Sequence, residues 1–174
     1  RPKLDEVQDC PPIISVVPAS GFELPEGDLD FWNEVNAQSN QCDVVMMQID
    51  DPFLLMFTSG TTGLAKPLAV PLKALIAFGR YMQDAVGLTE EDAFWNIADP
   101  GWAYGLYYAI TGPLLLGHAT LFYEGGFSTE SLIKITQDYN ITNLAGAPTA
   151  YRLMMAADPE QMASLRSQFR RVSS

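Results

Sequence analysis

Apolar segments alternate with polar, glycine-rich or proline-rich segments along the chain, and this alternation predicts a regular succession of strands and helices. Short apolar runs bounded by turn residues are typical of strands, whereas apolar positions repeated every three or four residues are typical of helices. The predicted strands are residues 13–17, 53–57, 68–70, 93–97, 119–123, 141–145 and 169–173, with a weaker candidate at 44–47. The predicted helices are residues 31–40, 71–86, 105–116, 129–139 and 148–155. Because strands and helices alternate from residue 71 onward, the order indicates an α/β fold with a mostly parallel sheet flanked by helices.

Several helix ends carry their own signals. Asp30 suits the N-cap of the first helix, with Glu34 placed for a capping box, and Ser128 suits another N-cap. Pro71 suits the first turn of the second helix, which Gly87 is expected to end. The apolar stripe that the second helix should bury is Leu72, Leu75, Ile76, Gly79, Met82 and Val86.

Size and composition indicate a single globular unit. The chain has 174 residues, of which 48% are hydrophobic and 18% charged, and this is enough for one domain with a proper core. We expect one domain over 1–174, with an acidic lead-in at 1–52, a strand–loop–strand unit at 53–70 and an alternating β/α portion at 71–174.

Charge and cysteine usage exclude several classes of protein. The net charge of −11 argues against a nucleic-acid surface, and no apolar run approaches the length of a membrane span. Cys10 and Cys42 lie far apart without metal-binding spacing, so two buried free thiols in a reducing cytoplasm are expected. The sequence therefore predicts a cytoplasmic protein without a nucleic-acid partner, a membrane span or a metal site.

A loop rich in glycine and hydroxyl residues follows the apolar run 53–57, which we expect to be a buried strand. Glycines let the backbone approach a ligand, successive turn N–H groups form a nest for an anion, and lysine adds a mobile positive charge. The candidate phosphate-binding residues are Thr58, Ser59, Gly60, Thr61, Thr62, Gly63 and Lys66. The loop is not a Walker A motif, since Lys66 precedes Pro67 and a predicted strand instead of opening a helix. A surface turn without a ligand is the alternative.

The run 58–66 closely resembles the phosphate loop of the AMP-forming adenylate synthetases, the superfamily of acyl-CoA synthetases, luciferases and peptide-synthetase adenylation domains. Two flanking positions depart from the pattern. Ala65 stands where the family usually has proline, and Pro67 stands where it usually has glycine. The departures concern the stiffness of the loop and leave its glycine, hydroxyl and lysine chemistry intact.

A second segment, Asp99 to Gly105, follows a predicted strand and opens a helix. On composition alone its aromatic residues are core residues. The segment also resembles the second core motif of acetyl-CoA and medium-chain acyl-CoA synthetases, where the residues after the tryptophan line the pocket for the tail of the carboxylic acid. The resemblance makes Trp102, Ala103, Tyr104 and Gly105 substrate-binding candidates, with Tyr104 also near the thiol arm of CoA. Tyr104 is bulkier than an acetate enzyme requires, which leaves the length of the acid open.

A third segment, 146–152, resembles the strand-to-helix turn beside the active site of the same family. Ala147, Pro148 and Thr149 are its substrate-binding candidates, although a simple helix start explains each residue equally well. In parallel sheets, ligands lie beyond the carboxyl ends of the strands, which here are residues 97–99 and 144–146.

The remaining polar candidates are weak. His118 is the only histidine, and it has no partner in metal-binding or catalytic spacing, so a turn or sheet-edge position is expected. Arg170 and Arg171 are expected to be solvated charges beside a strand. No residue of this chain is therefore predicted to be catalytic.

The resemblance implies part of an ATP-dependent acid–CoA ligase that converts a carboxylic acid into acyl-AMP and transfers the acyl group to CoA. It implies ATP, CoA and Mg²⁺ for the intact enzyme. It also implies that this chain is an internal fragment of the large N-terminal domain, without the later adenine-binding, magnesium-binding and catalytic-lysine segments, and that the fragment is inactive. Three alternatives stay open: an adenylation domain serving a carrier protein, a non-catalytic nucleotide- or phosphate-binding module, and a remnant that binds nothing and forms a homo-oligomer.

Overall fold

The structure is a computed structural model that describes residues 7–16, 23–58, 63–165 and 167–174. Contacts within the chain divide it into two compact units, Arg1–Met46 and Met47–Ser174. Among the described residues, no helix is long and apolar enough to cross a membrane.

The first unit contains two short parallel strands, β1 (Ile14–Ser15) and β2 (Leu29–Asp30), followed by helix α1 (Phe31–Asn36). The Asp30 carboxylate caps α1 as predicted, accepting a hydrogen bond of 2.8 Å from the backbone N–H of Asn33. The capping box predicted with Glu34 is wrong, because Asn33 holds the N3 position and Glu34 lies one residue beyond it.

Two further expectations for the front of the chain are wrong. Cys10 and Cys42 are free but exposed, since neither belongs to a packed strand or helix. Residues 44–47 form no strand, and the side chains of Val44, Val45 and Met46 are exposed. An apolar run needs a partner strand to pair with, and the described residues provide none here.

The second unit begins with an antiparallel hairpin of β3 (Pro52–Thr58) and β4 (Lys66–Pro71), in which Thr58 pairs with Lys66. A strand is thus present on each side of the loop. The expected burial of the first strand is wrong, because Leu55 and Phe57 are exposed. Pro71 ends β4 instead of opening the next helix, at a strand end where its missing N–H costs little.

Helix α2 (Ala74–Asp84) packs against a continuous helical segment made of α3 (Ala103–Gly105), a π-helical stretch (Leu106–Thr111) and α4 (Gly112–Leu115). Met82, on the predicted stripe, is fully buried, but Ile76 is 65% exposed and Phe78 is buried in its place. The chain leaves α2 through Gly87, whose φ of 64° suits glycine, and the N–H of Leu88 returns to the Met82 carbonyl at 2.9 Å.

The centre of the second unit is a parallel sheet in the order β5–β6–β7. In chain order, the strands of this sheet and the helices between them are β5 (Phe94–Asn96), α5 (Thr129–Asp138), β6 (Asn143–Ala145), α6 (Pro148–Ala156), α7 (Pro159–Ala163) and β7 (Arg171–Ser173). Ser128 caps α5 as predicted, accepting from the N–H of Ser131 at 3.1 Å. The main core cluster joins the sheet to its helices through Trp95, Leu132, Ile135, Ile141, Leu144 and Leu165.

The α/β expectation is met only in this part of the chain. The described strands form three small sheets, of which β1–β2 and β5–β6–β7 are parallel and the hairpin is antiparallel. The strand predicted at 119–123 is wrong, since these residues have no regular structure. Helix α7 was not predicted, because it has only five residues after its polar cap, Asp158.

Arg170 is not a solvated charge as predicted. Its guanidinium pairs with the carboxylate of Asp92, whose side chain is only 1% exposed. Asp92 also accepts hydrogen bonds from Thr89, Thr142 and Asn143. Burial opposes ionisation of the carboxyl, but these donors, led by Arg170, outweigh it and hold the pKa of Asp92 well below its usual range.

Candidate functional site

The carboxyl ends of β5 and β6 open into a cleft of about 630 Å³, which we call the main cleft. The two strands are adjacent and parallel, and the N–H of Ile97 continues their ladder to the Ala145 carbonyl at 2.9 Å. Immediately after the strands, residues 97–99 and Gly146 form part of the cleft wall. This is where a parallel sheet is expected to place its ligand.

The loop after β5 is fastened to the helical segment that follows it. The Asp99 carboxylate accepts from the N–H of Gly101 at 2.7 Å, and the Asp99 carbonyl accepts from the N–H of Trp102 at 3.1 Å. At Gly105 a Cβ atom would lie 2.1 Å from the carbonyl oxygen of Asp99, so only glycine allows this approach. The close contact brings Trp102 and Tyr104 to the main cleft.

Trp102 and Tyr104 differ in their surroundings. The side chain of Trp102 is 74% exposed, so the interpretation of this residue as core is wrong. Tyr104 is half-buried within a group of aromatic rings, and its ring lies 5.4 Å from that of Tyr108, which stacks on Tyr81 at 4.0 Å. Burial, followed by the nearby Tyr81, raises the pKa of Tyr104 above its usual range, so the cleft wall at this point is a neutral phenol.

The opposite wall is the N-terminus of α6. Pro148 holds the first helical position, as predicted, after Ala147 at the N-cap, and Ala147, Pro148 and Thr149 all line the main cleft. Tyr151 anchors this turn, since its hydroxyl donates to the Ser173 carbonyl at 2.6 Å. Burial raises the pKa of Tyr151 to about 12, so the anchor stays protonated. A helix N-terminus presents free N–H groups and partial positive charge, which favour an anion at the cleft.

A smaller cleft of about 440 Å³, the side cleft, lies along the other side of the β5 end. Its walls include the loop 121–127 and the start of α5. The two clefts share Ile97, Ala98, Asp99 and Phe127.

The described part of the predicted phosphate loop lies at the end of the hairpin. The hydroxyl of Thr58 donates to the Lys66 carbonyl at 3.5 Å, Gly63 has a φ of 149°, and Lys66 is exposed. Thr58, Gly63 and Lys66 line neither cleft. Four predicted phosphate-binding residues lie outside the described residues, namely Ser59, Gly60, Thr61 and Thr62.

The structure thus brings together some, but not all, of the predicted substrate-binding residues. Trp102, Tyr104, Ala147, Pro148 and Thr149 line the main cleft, whereas Ala103 and Gly105 do not. Phe127 and Leu153 also line it and were missed. Phe127 directly precedes the N-cap Ser128, a position where apolar residues are common, and this signal could have drawn attention to it.

Neither cleft contains a basic side chain among its described lining residues. His118 lies in the turn after α4, where its N–H donates to the Pro113 carbonyl at 2.9 Å. In the part of the chain that the structure describes, no group of three or more His, Cys, Asp or Glu residues could hold a metal ion.

Comparison with known proteins assigns the chain to a family. The model of the AMP-binding enzyme family matches residues 1–174. Acetyl-coenzyme A synthetase of Bacillus subtilis is 36% identical over 135 residues, which are 78% of this chain and 24% of the relative. The enzyme of the same name from Methanothrix thermoacetophila is 32% identical over 167 residues, which are 90% of this chain and 25% of the relative.

A solved structure agrees with the sequence relatives. The crystal structure of an acyl-CoA synthetase from Brucella canis superposes with a TM-score of 0.89 at 53% identity, covering 98% of this chain and 31% of that one. The chain therefore spans about a quarter to a third of the length of these relatives. The resemblance to the AMP-forming acyl-CoA synthetases is confirmed, and the chain belongs to the AMP-binding enzyme family.

Proposed function

We propose that this chain forms part of the nucleotide-binding domain of an ATP-dependent acid–CoA ligase, with the main cleft holding the carboxylic acid. The observation that carries the proposal is the convergence of Trp102 and Tyr104 from one segment with Ala147, Pro148 and Thr149 from another on one largely apolar cleft. The two segments are far apart in sequence, and each was singled out by its resemblance to the same family.

The proposed reaction has two steps. The carboxylate attacks the α-phosphate of ATP and releases pyrophosphate, and the sulfur of CoA then attacks the acyl-adenylate carbonyl and displaces AMP. The loop 58–66 holds the β- and γ-phosphates and the leaving pyrophosphate. Its exposed lysine and the positive φ of Gly63 suit this role, because an open glycine nest and a mobile cation can reach a polyphosphate.

Within the main cleft, the apolar surfaces of Trp102 and Leu153 would hold the tail of the acid, and the α6 N-terminus would favour its negative charge. The described residues do not by themselves fit a magnesium ion, since no three His, Cys, Asp or Glu side chains converge, so no step is assigned to Mg²⁺ on this chain. Tyr104 is the residue proposed to lie near the thiol arm of CoA.

The proposal is tested by Lys66→Ala in a full-length enzyme that contains this chain. This variant lacks the lysine cation that would stabilise the negative charge developing on the phosphates. Acid-dependent pyrophosphate release should therefore fall by about tenfold to a thousandfold. The matched control is Lys73→Ala, because Lys73 is an exposed lysine of the same unit that pairs with Asp50 at 2.6 Å and lies outside the loop. Equal pyrophosphate release by the Lys66 variant and the wild type would refute the assigned role.

A further inference from the structure

The main cleft and the side cleft meet at a boundary made of four residues, and three of these are held in place by hydrogen bonds or close packing. The N–H of Ala98 donates to the Asn96 side chain at 2.9 Å, and the Asp99 carboxylate is occupied by the N–H of Gly101. Ile97 fits closely against Gly146, where an added Cβ would lie 2.5 Å from its Cγ1 atom. Displacing any of these three residues would disturb the carboxyl end of the sheet.

Phe127, the fourth boundary residue, lies in a loop without regular structure and is 37% exposed. It precedes the α5 N-cap, and Leu132 holds the N4 position of the same helix, which is the arrangement of a hydrophobic staple. Leu132 lines the side cleft beside Phe127. The phenylalanine ring is therefore the large side chain at the boundary that can change size without altering the sheet.

The side cleft is lined by apolar and aromatic side chains and by two acidic ones. Trp95, Leu121 and Phe122 contribute the apolar surface, whereas Asp99 and Glu124 are carboxylates. Such a lining accepts an uncharged apolar chain and disfavours a second carboxylate, because like charges repel and a buried charge without a partner is costly.

We propose that the side cleft receives the distal end of the apolar tail of the acid, and that Phe127 determines how long the tail must be to enter this cleft. This inference rests on the proposed function, because it takes the acid to be bound in the main cleft. The substrate class is then a monocarboxylic acid with a long apolar tail, and a dicarboxylic acid of equal length is excluded.

The position of the tail can be measured with the chain itself, because one tryptophan lines each cleft. Trp95 lines the side cleft and Trp102 the main cleft, while Trp32 lies in the other unit. Two variants isolate the probes: Trp32→Phe with Trp102→Phe leaves Trp95, and Trp32→Phe with Trp95→Phe leaves Trp102. Each is titrated with hexanoate and dodecanoate carrying bromine, a short-range quencher, on the terminal carbon.

Brominated hexanoate should quench the fluorescence of Trp102 and leave the fluorescence of Trp95 unchanged. Brominated dodecanoate should quench the fluorescence of Trp95. With unlabelled acids as competitors, the dissociation constant should fall about fourfold for each methylene that enters an apolar cleft. Dodecanedioate should compete far less well than dodecanoate.

Phe127→Leu should widen the boundary while keeping an apolar residue at the staple position, so that brominated hexanoate now quenches Trp95. Phe127→Ala is the stronger form of the same change, and circular dichroism checks that both variants fold. The matched control is Phe57→Leu, because Phe57 is exposed on β3 and lines neither cleft. This control should leave the quenching of both tryptophans unchanged.

Each contrary outcome has a distinct meaning. If every acid quenches Trp102 and none quenches Trp95, the side cleft is not a tail site, and the proposed acid site in the main cleft stands. If Phe127→Leu and the wild type require the same tail length to quench Trp95, Phe127 is not the determinant. If no acid quenches either tryptophan, both the acid site and this extension of it are overturned.

Discussion

At the scale of single residues, Asp92 and Arg170 form an ion pair within the second unit. They are 78 positions apart, and Arg170 reaches a carboxylate that is almost fully buried. A sequence pattern predicts whether a charged residue is solvated only from the residues next to it in the chain. The pairing of Arg170 with a residue so distant in sequence could therefore not be predicted. The contact joins the loop after α2 to the residue directly before β7.

Asp92→Asn should destabilise the second unit. The variant keeps the shape of the side chain but removes the charge that Arg170 and Thr142 stabilise, and it turns one acceptor oxygen into a donor facing other donors. We expect a loss of about 1–3 kcal/mol in the free energy of unfolding, measured by urea denaturation. The control is Asp50→Asn, which removes an exposed pair with Lys73 and should cost less than about 1 kcal/mol.

The same carboxylate predicts a dependence of stability on pH. Its pKa is lower in the folded state than in the unfolded chain, so protons bind preferentially to the unfolded chain and stability rises with pH. The stability difference between wild type and Asp92→Asn should be fully present near neutral pH and should shrink below about pH 4, where an unfolded aspartate takes up its proton. A difference that grows on acidification would contradict the assigned cause.

At the scale of elements, the local sequence predicted those features that depend on contacts between residues close together in the chain. Ser128 caps α5 through the N–H of Ser131, and β3 pairs with β4, the next strand after the glycine-rich segment. Pro71 was misplaced because its fixed φ suits a strand end as well as a helix start. The run 119–123 has strand composition but no strand pairing, and pairing depends on partners that composition does not reveal.

The junction between the Asp99 loop and α3 gives a prediction at this scale. Gly105→Ala should separate the loop from the helix, because the new Cβ would collide with the Asp99 carbonyl, and a backbone atom cannot move aside as a side chain end can. We expect a loss of about 3 kcal/mol in the free energy of unfolding and altered emission from Trp102.

Gly126→Ala is the matched control for this change. Gly126 is an exposed glycine with no atom within 4 Å of an added Cβ. The control should change stability by less than about 0.5 kcal/mol. Equal stability of the two glycine variants in urea would show that the close approach at Gly105 is not required.

At the scale of the whole molecule, motifs separated in sequence converge as a parallel sheet requires. Trp102 and Pro148 both follow strands of one sheet, so their meeting at one cleft could be anticipated once the two strands were recognised. Phe127 enters the same cleft from a loop, and its position before the α5 N-cap does not place it there. Arg170 pairs across the sheet with Asp92, which no residue near Arg170 in the sequence identifies as its partner.

The chain by itself is predicted not to form acyl-AMP. Nucleotidyl transfer requires several positive groups to neutralise phosphate charge, and the proposed phosphate loop 58–66 supplies one of them, Lys66. The measurement is acyl-hydroxamate formation from ATP, an acid and hydroxylamine, with a full-length relative as the positive control. Product from the chain alone above the background without enzyme would refute this prediction.

The pairing of Arg170 with Asp92 also has a consequence for the order in which parts of the chain fold during synthesis. Residues 89–143 supply most of the donors around Asp92, but the guanidinium leaves the ribosome only after the helices α5, α6 and α7. Until then the nascent chain holds an acidic group without its counter-ion, next to the place where β7 will add. We therefore expect β5 and β6 to become resistant to proteolysis late, when β7 joins them, because contacts over long sequence separations form slowly.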